Sequence, residues 1–250
     1  MFGPVTRLAT NPIVRQGAYS YFLSKDPLTA ALHYLLALAT VLFIIWPKSQ
    51  YLRVGSPPLT FNIEAIVATV IMAYLSFSYG AGKLGDEVAQ VSLHILLSQG
   101  LSRRDMVAGL TVLTFSHTLF FIVLALPLLV AAAHVSGVST GNFGRALLLM
   151  VICTLAYRWL GLLTLCVWET QDFMRYVVAR AAFVGFVLGS AFFLPSVNPV
   201  LGLISMSFGE ELGQVVILFH HELSYATVAL IIHLLLLLGT YIMVIKLLKH

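Results

Sequence analysis

Residues 86–109, DEVAQVSLHILLSQGLSRRDMVAG, decide the fold, because they are a polar, amphipathic interruption between two long apolar stretches. The surrounding chain has the composition of protein that lives in lipid. Of its 250 residues 60% are hydrophobic and 10% charged, whereas soluble domains carry about 25% charged residues. The chain therefore reads as an integral membrane protein. At about 20 apolar residues per helical crossing it has room for several spans but none for a separate aqueous domain, so residues 1–250 read as one transmembrane domain.

Apolar runs bounded by charge, Pro or Gly predict six crossings, at 28–46, 61–82, 106–133, 143–168, 176–194 and 223–245. Backbone polar groups in hydrocarbon must pair within the segment, and the absence of strict alternation favours helices over barrel strands. The expected fold is all-α, with six transmembrane helices, an N-terminal interfacial helix within 1–27, a coupling helix within 86–104, and short outer re-entrant helices within 195–222. Arg7, Arg15, Lys25, Lys83, Arg103, Arg104, Arg175, Arg180, Lys246 and Lys249 fall on one side of this arrangement. Only Lys48, Arg53 and Arg145 fall on the other. By the positive-inside rule both termini are expected in the cytoplasm. The net charge of +4 follows from that topology, and its scatter over separate segments excludes a nucleic-acid stripe.

The N-terminus lacks the continuous apolar region of a signal peptide, being broken by Pro4, Arg7, Pro12 and Arg15. Asn11-Pro12 reads as a helix start, with Asn as the cap and Pro at the first helical position. Val14, Ala18, Tyr21 and Phe22 then share a face suited to the cytoplasmic interface. Residues 195–222 are apolar yet chopped by Pro195, Pro199, Gly202, Gly209 and Gly213. Two short helices are expected there, the second with Leu212, Val215, Val216 and Phe219 inward and Glu210 and Glu211 near its start. Cys153 and Cys166 lie thirteen residues apart on one span, about 20 Å along its axis. They cannot pair and read as packing residues.

Within the opening stretch, Val88, Val91, Ile95 and Leu96 recur at helical spacing while Asp86, Glu87, Gln90 and His94 stay polar. Gly100 ends that helix, and Ser102 with Asp105 starts the next as a capping box. This loop resembles the one after the second helix in permease subunits of ABC transporters of the type 2 export family. The family pattern is a Glu, then Gly-Thr-Leu-Glu-Leu-Leu, a Pro-x-Ser-Arg turn and a Gly-Lys pair opening the third helix. Here Glu87, Leu93, Leu96, Leu97, Ser102, Arg103, Asp105 and Gly109 stand at matching positions, and Ser92 replaces the Thr. Val91, His94, Gly100 and Leu110 depart from it.

The Asn11-Pro12 helix, the six spans and the broken segment with Asn198-Pro199 resemble the same family's plan. The resemblance implies two six-helix permeases, alike or different, in a bacterial or archaeal cytoplasmic membrane. Each is coupled to a separate ABC ATPase subunit through Glu87, Ser92, Leu93, Leu96, Leu97, Ser102, Arg103 and Asp105. ATP and Mg would then sit on that ATPase, with no cofactor on this chain. Gly80-Ala81-Gly82-Lys83 is no phosphate loop, because Phe77 and Leu84 occupy the positions that need Gly and Ser or Thr.

Ionisable groups inside spans are functional candidates, since each costs about 2.5–3.5 kcal/mol on insertion scales. Arg158 lies deepest and is expected to face the bundle and pair with a carbonyl or carboxylate, for structure or for substrate passage. Glu64, one turn inside its span, either reaches the headgroups or lines the path. His117 and His233 are expected as neutral, hydrogen-bonded histidines, with a proton or ligand role as the alternative. Arg145 and Arg180 can snorkel, and Pro127 is expected to kink its span. His220-His221-Glu222 lacks metal-ligand spacing, and no nucleophile–base set stands out. Ala181, Gly185 and Gly189 form a small-residue face for a neighbouring helix, within this chain or in a second permease. The expected function is the permease subunit of an ATP-driven exporter. The rivals are a membrane-embedded lipid-modifying enzyme and a non-transporting anchor or assembly factor.

Overall fold

The structure is a computed structural model and describes residues 11–23, 25–46, 59–82, 102–168, 171–208, 215–218 and 221–248. Six of its helices are long and apolar enough to cross a membrane, which makes the chain a helical multi-pass membrane protein. The elements are α1 (Pro12–Ala18), a π-helical turn Tyr19–Leu23, α2 (Lys25–Ile45), α3 (Leu59–Ala81), α4 (Arg103–Val135) and α5 (Thr140–Val167). Then come α6 (Asp172–Val184), a second π-helical turn Gly185–Gly189, α7 (Ser190–Phe193) and α8 (Pro199–Phe208). A hairpin of β1 (Val215–Leu218) and β2 (His221–Ser224) precedes α9 (Tyr225–Leu247). The fifth span is α6 and α7 run together through the second π turn, over Phe173–Phe193.

α3 and α5 form the centre, with 56% and 61% of their spans buried, against about a fifth for α2, α6 and α9. Two glycines set their separation. A Cβ on Gly80 would land on the carbonyl oxygen of Arg158, and one on Gly161 would land on that of Phe77 and lie 2.9 Å from the backbone nitrogen of Ala81. Only missing side chains let the two backbones touch, which is how helices associate where lipid removes the hydrophobic drive. Gly80, the first residue of the false phosphate-loop fragment, is thus a helix-packing residue.

At the end away from the termini, the helices satisfy one another's free backbone groups. The Thr60 hydroxyl donates to the Ile45 carbonyl at 3.3 Å, and the Phe61 N–H donates to Ser136 Oγ at 3.0 Å. α4 stops at Gly137, whose φ of 64° suits a residue without Cβ. α4 has 33 residues and is about 50 Å long, well beyond the roughly 30 Å of hydrocarbon, and Pro127 lies within it.

The segment after α7 differs from expectation. α8 is one short helix, capped by Asn198 and packed so closely that a Cβ on Gly202 would meet Ala229 Cβ at 3.0 Å. The described residues of the second expected helix are not helical, because Val215–Leu218 is a strand paired antiparallel with His221–Ser224, Ile217 facing Glu222. Val215, Val216 and Ile217 are β-branched, stiff at χ1 and suited to a pleated ribbon. Glu210, Glu211, Leu212 and Phe219 lie outside the described residues. Cys153 is buried and Cys166 is half-buried, and the two are not joined in a disulfide.

Replacing Gly80 or Gly161 by Ala is expected to destabilise the protein by about 1–3 kcal/mol through overpacking of α3 on α5. Gly185→Ala, where a Cβ meets nothing within 4 Å, is expected to change stability by less than about 0.5 kcal/mol. Thermal unfolding of the purified variants in detergent measures both.

Candidate functional site

Two groups of buried polar residues in the bundle contain the candidate side chains. The first is at the end where the described chain starts and finishes, where Ile13, Tyr21, Met106, Leu110, Val244 and Leu248 share one buried cluster. α1 starts as expected, with Asn11 Oδ1 accepting from the Ile13 N–H at 2.9 Å and Pro12 as the first helical residue. Its packing differs from expectation, since the buried face is Ile13, Gly17 and Tyr21, with Val14 and Ala18 only half-buried. The partner surface is α4. A Cβ on Gly17 would run into the Leu113 side chain, and one on Gly109 would meet Asn11 Oδ1 at 2.8 Å. The Asn11 amide also donates to the Asp105 carbonyl at 2.6 Å, so the cap of one helix is a clamp on the next.

The π-helical turn after α1 carries Tyr21 and Phe22 into the bundle. Tyr21 donates its hydroxyl to the Tyr79 carbonyl at 3.3 Å, one of the acceptors left open where α3 ends. Its ring also covers Arg158. The guanidinium, 1% exposed, lies 4.4 Å from the Tyr21 centroid and 6.0 Å from that of Tyr79. Nη1 donates to the Ser76 carbonyl at 3.3 Å. Arg158 therefore faces the bundle and pairs with a carbonyl, one of the two partners expected for it. Among the described residues no carboxylate reaches it, and its Nε has no partner. Two π faces and one carbonyl must offset the cost of a charge out of water.

His117 belongs to the same cluster. Its ring centroid lies 5.1 Å from Tyr21, 4.9 Å from Tyr79, 5.8 Å from Phe22 and 4.9 Å from Phe121. The expected hydrogen bonds are missing, because these neighbours present ring faces and edges instead of acceptors. Neither ring nitrogen is paired among the described residues. His233 follows expectation, holding the Ala229 carbonyl at 2.8 Å through Nδ1 and the Tyr157 hydroxyl at 3.4 Å through Nε2.

The second group is near the start of α3. Glu64 is fully buried, and neither carboxyl oxygen has a hydrogen-bond partner among the described residues. This corrects the reading that it reaches headgroups. α3 is the central helix, so a side chain one turn inside it points into protein. Tyr34 on α2 is 1% exposed and also leaves its hydroxyl without a partner among the described residues. Glu64 stands twelve residues before Ser76, about 18 Å along the helix. The structure therefore unites Arg158 with His117 and separates Glu64 from both.

Of the expected docking residues, Glu87, Ser92, Leu93, Leu96 and Leu97 lie outside the described residues. Ser102, Arg103 and Asp105 are described. Ser102 caps α4, accepting from the Asp105 N–H at 3.1 Å, while its hydroxyl bonds the Asp105 carboxylate at 2.5 Å. Arg103 and Arg104 are exposed. Ala181 and Gly185 are exposed and Gly189 is half-buried, and a Cβ on either glycine would meet nothing. Among the described residues, none therefore fills the space into which a Cβ on either glycine would point.

Tyr21, Tyr79 and Tyr34 were not identifiable as site residues from their spacing. Tyr21 read only as part of an apolar face, and the chemistry of all three depends on which helices meet. Tyr21→Phe is expected to cost about 0.5–1.5 kcal/mol, the worth of one hydrogen bond. Tyr21→Leu, which removes the ring from a desolvated cation, is expected to cost about 2 kcal/mol or more and to speed proteolysis of the N-terminal segment. Thermal unfolding and timed trypsin digestion of the two variants make the comparison.

No known protein family matches this chain, and no characterised protein matches it either. Its own residues therefore carry the functional assignment.

Proposed function

We propose that the chain is the membrane-spanning subunit of an ATP-driven exporter, moved by a separate ATP-hydrolysing subunit that docks on residues 86–104 on the cytoplasmic side. Two such six-helix halves, alike or different, would rock against each other, with the open Ala181, Gly185 and Gly189 face as the contact between them. ATP and Mg belong to the partner.

The observation that supports this best is the double tie at the start of α4. The docking segment runs into a helix whose first turn is stiffened by the Ser102–Asp105 cap and bonded through the Asp105 carbonyl to Asn11. From Asn11, α1 leads to Tyr21, and Tyr21 leads to Arg158 and the α3–α5 contact. A push delivered to Ser102–Asp105 therefore has a contiguous route into the centre of the bundle. A contiguous physical connection of this kind can carry such coupling.

Reversing charge at Glu87→Lys and Arg103→Glu together is expected to weaken binding of the cognate ATPase on the order of tenfold or more, since like charges brought together across an interface are costly. Pull-down and ATPase assays with the purified pair read this, and a partner that binds and hydrolyses ATP as before would rule out the docking surface. Asn11→Ala with Gly109→Leu should instead preserve binding. It should suppress the ATP-dependent distance change between spin labels placed on the ends of α2 away from the termini in the two halves.

A further inference from the structure

On the flank away from α1, the start of α4 and the end of α9 leave a groove of 710 Å³ between them. That volume falls within the roughly 300–1,000 Å³ of small-ligand sites. Val107, Thr111, Tyr241 and Ile245 form its walls, and Arg103 and Arg104 stand at its extramembrane end. The walls are apolar in fact as well as by residue type. The Thr111 hydroxyl is spent on the Val107 carbonyl at 2.8 Å, which leaves its methyl group to the groove. Tyr241 is packed edge-on against Trp159 at 4.8 Å between centroids.

The arginines are equally distinctive. Both are exposed, and no described carboxylate pairs with either. The nearest in sequence, Asp105, is bonded to Ser102. Farther along the same two helices, Phe115 and Leu238 are each 49% exposed, so the groove opens on the lipid-facing perimeter of the bundle.

We propose that this groove binds an anionic phospholipid of the adjacent leaflet, the inner one by the charge asymmetry of the chain. Its phosphate lies between Arg103 and Arg104, and one acyl chain lies along Val107, Thr111, Tyr241 and Ile245. Guanidinium forks match phosphate oxygens in geometry as well as charge, and paired cations at a membrane surface draw anionic headgroups. A phosphate ion alone would leave the apolar walls unused. A neutral lipid would leave the arginines without a counter-charge. This site requires no ATPase and stands whether or not the exporter reading does.

The test uses the purified full chain without any ATPase, titrated with phosphatidylglycerol or with phosphatidylcholine of the same acyl chains and read by native mass spectrometry. Phosphatidylglycerol is expected to be retained on the order of tenfold more than phosphatidylcholine. The double variant Arg103→Gln, Arg104→Gln should abolish that preference, and the groove-filling Thr111→Trp should lower phosphatidylglycerol retention with both arginines intact. Should Thr111→Trp unfold, Ile245→Trp fills the groove from its other wall. Equal retention of the two lipids, displacement by excess inorganic phosphate, or native binding by either the charge variant or the folded groove variant would overturn the proposal.

Discussion

Everything in this bundle depends on the backbone contact between α3 and α5. Where Gly80 meets Arg158 and Gly161 meets Phe77, no side chain separates the two helices. Their close approach brings the Arg158 guanidinium within reach of the Ser76 carbonyl. Buried arginine and helix contact are therefore one feature. Without the two glycines, α3 and α5 would stand a methyl group or more apart, and the hydrogen bond that holds the cation would lengthen with them.

Two asparagines extend this order to the periphery by the same device. Asn11 caps α1 with its oxygen and reaches the Asp105 carbonyl with its nitrogen. Asn198 caps α8 with its oxygen, accepting from the Val200 and Leu201 N–H groups at 2.9 and 3.1 Å. Its nitrogen holds the Val187 carbonyl at 2.7 Å and Ser190 Oγ at 2.8 Å. Val187 lies in the π-helical turn of the fifth span, where the ordinary helical pairing is disturbed and a carbonyl can look outward. In both places an Asn-Pro pair starts a short helix and anchors it to a long one. Only the first half of that role, the cap, is visible in the dipeptide.

The six spans were legible because lipid imposes a long apolar run on each of them. The Ser102–Asp105 cap was legible too, because capping is local chemistry. Burial of Glu64 was not, since it follows from α3 being central, and centrality is a property of neighbours. One signal did point that way: α3 is the least apolar of the six spans, as a helix shielded from lipid can be. The aromatic surroundings of Arg158 and His117 come from the first π-helical turn, α3 and α4, while Arg158 itself stands on α5, and no window of sequence holds all four. Val215–Leu218 was misread for a different reason. The apolar run Val215-Val216-Ile217-Leu218-Phe219 is too short for its period to tell helix from strand.

The order of these contacts along the chain bears on how the protein is made. Tyr21, Ser76 and Tyr79, the groups that receive Arg158, all precede it in the sequence. A ribosome feeding the membrane-insertion machinery releases α1 to α3 before the arginine emerges. The most awkward residue of the fourth span thus enters the bilayer beside a carbonyl and two rings already in residence. A permuted gene that placed α5 first would have to lodge that cation in lipid with nothing waiting for it.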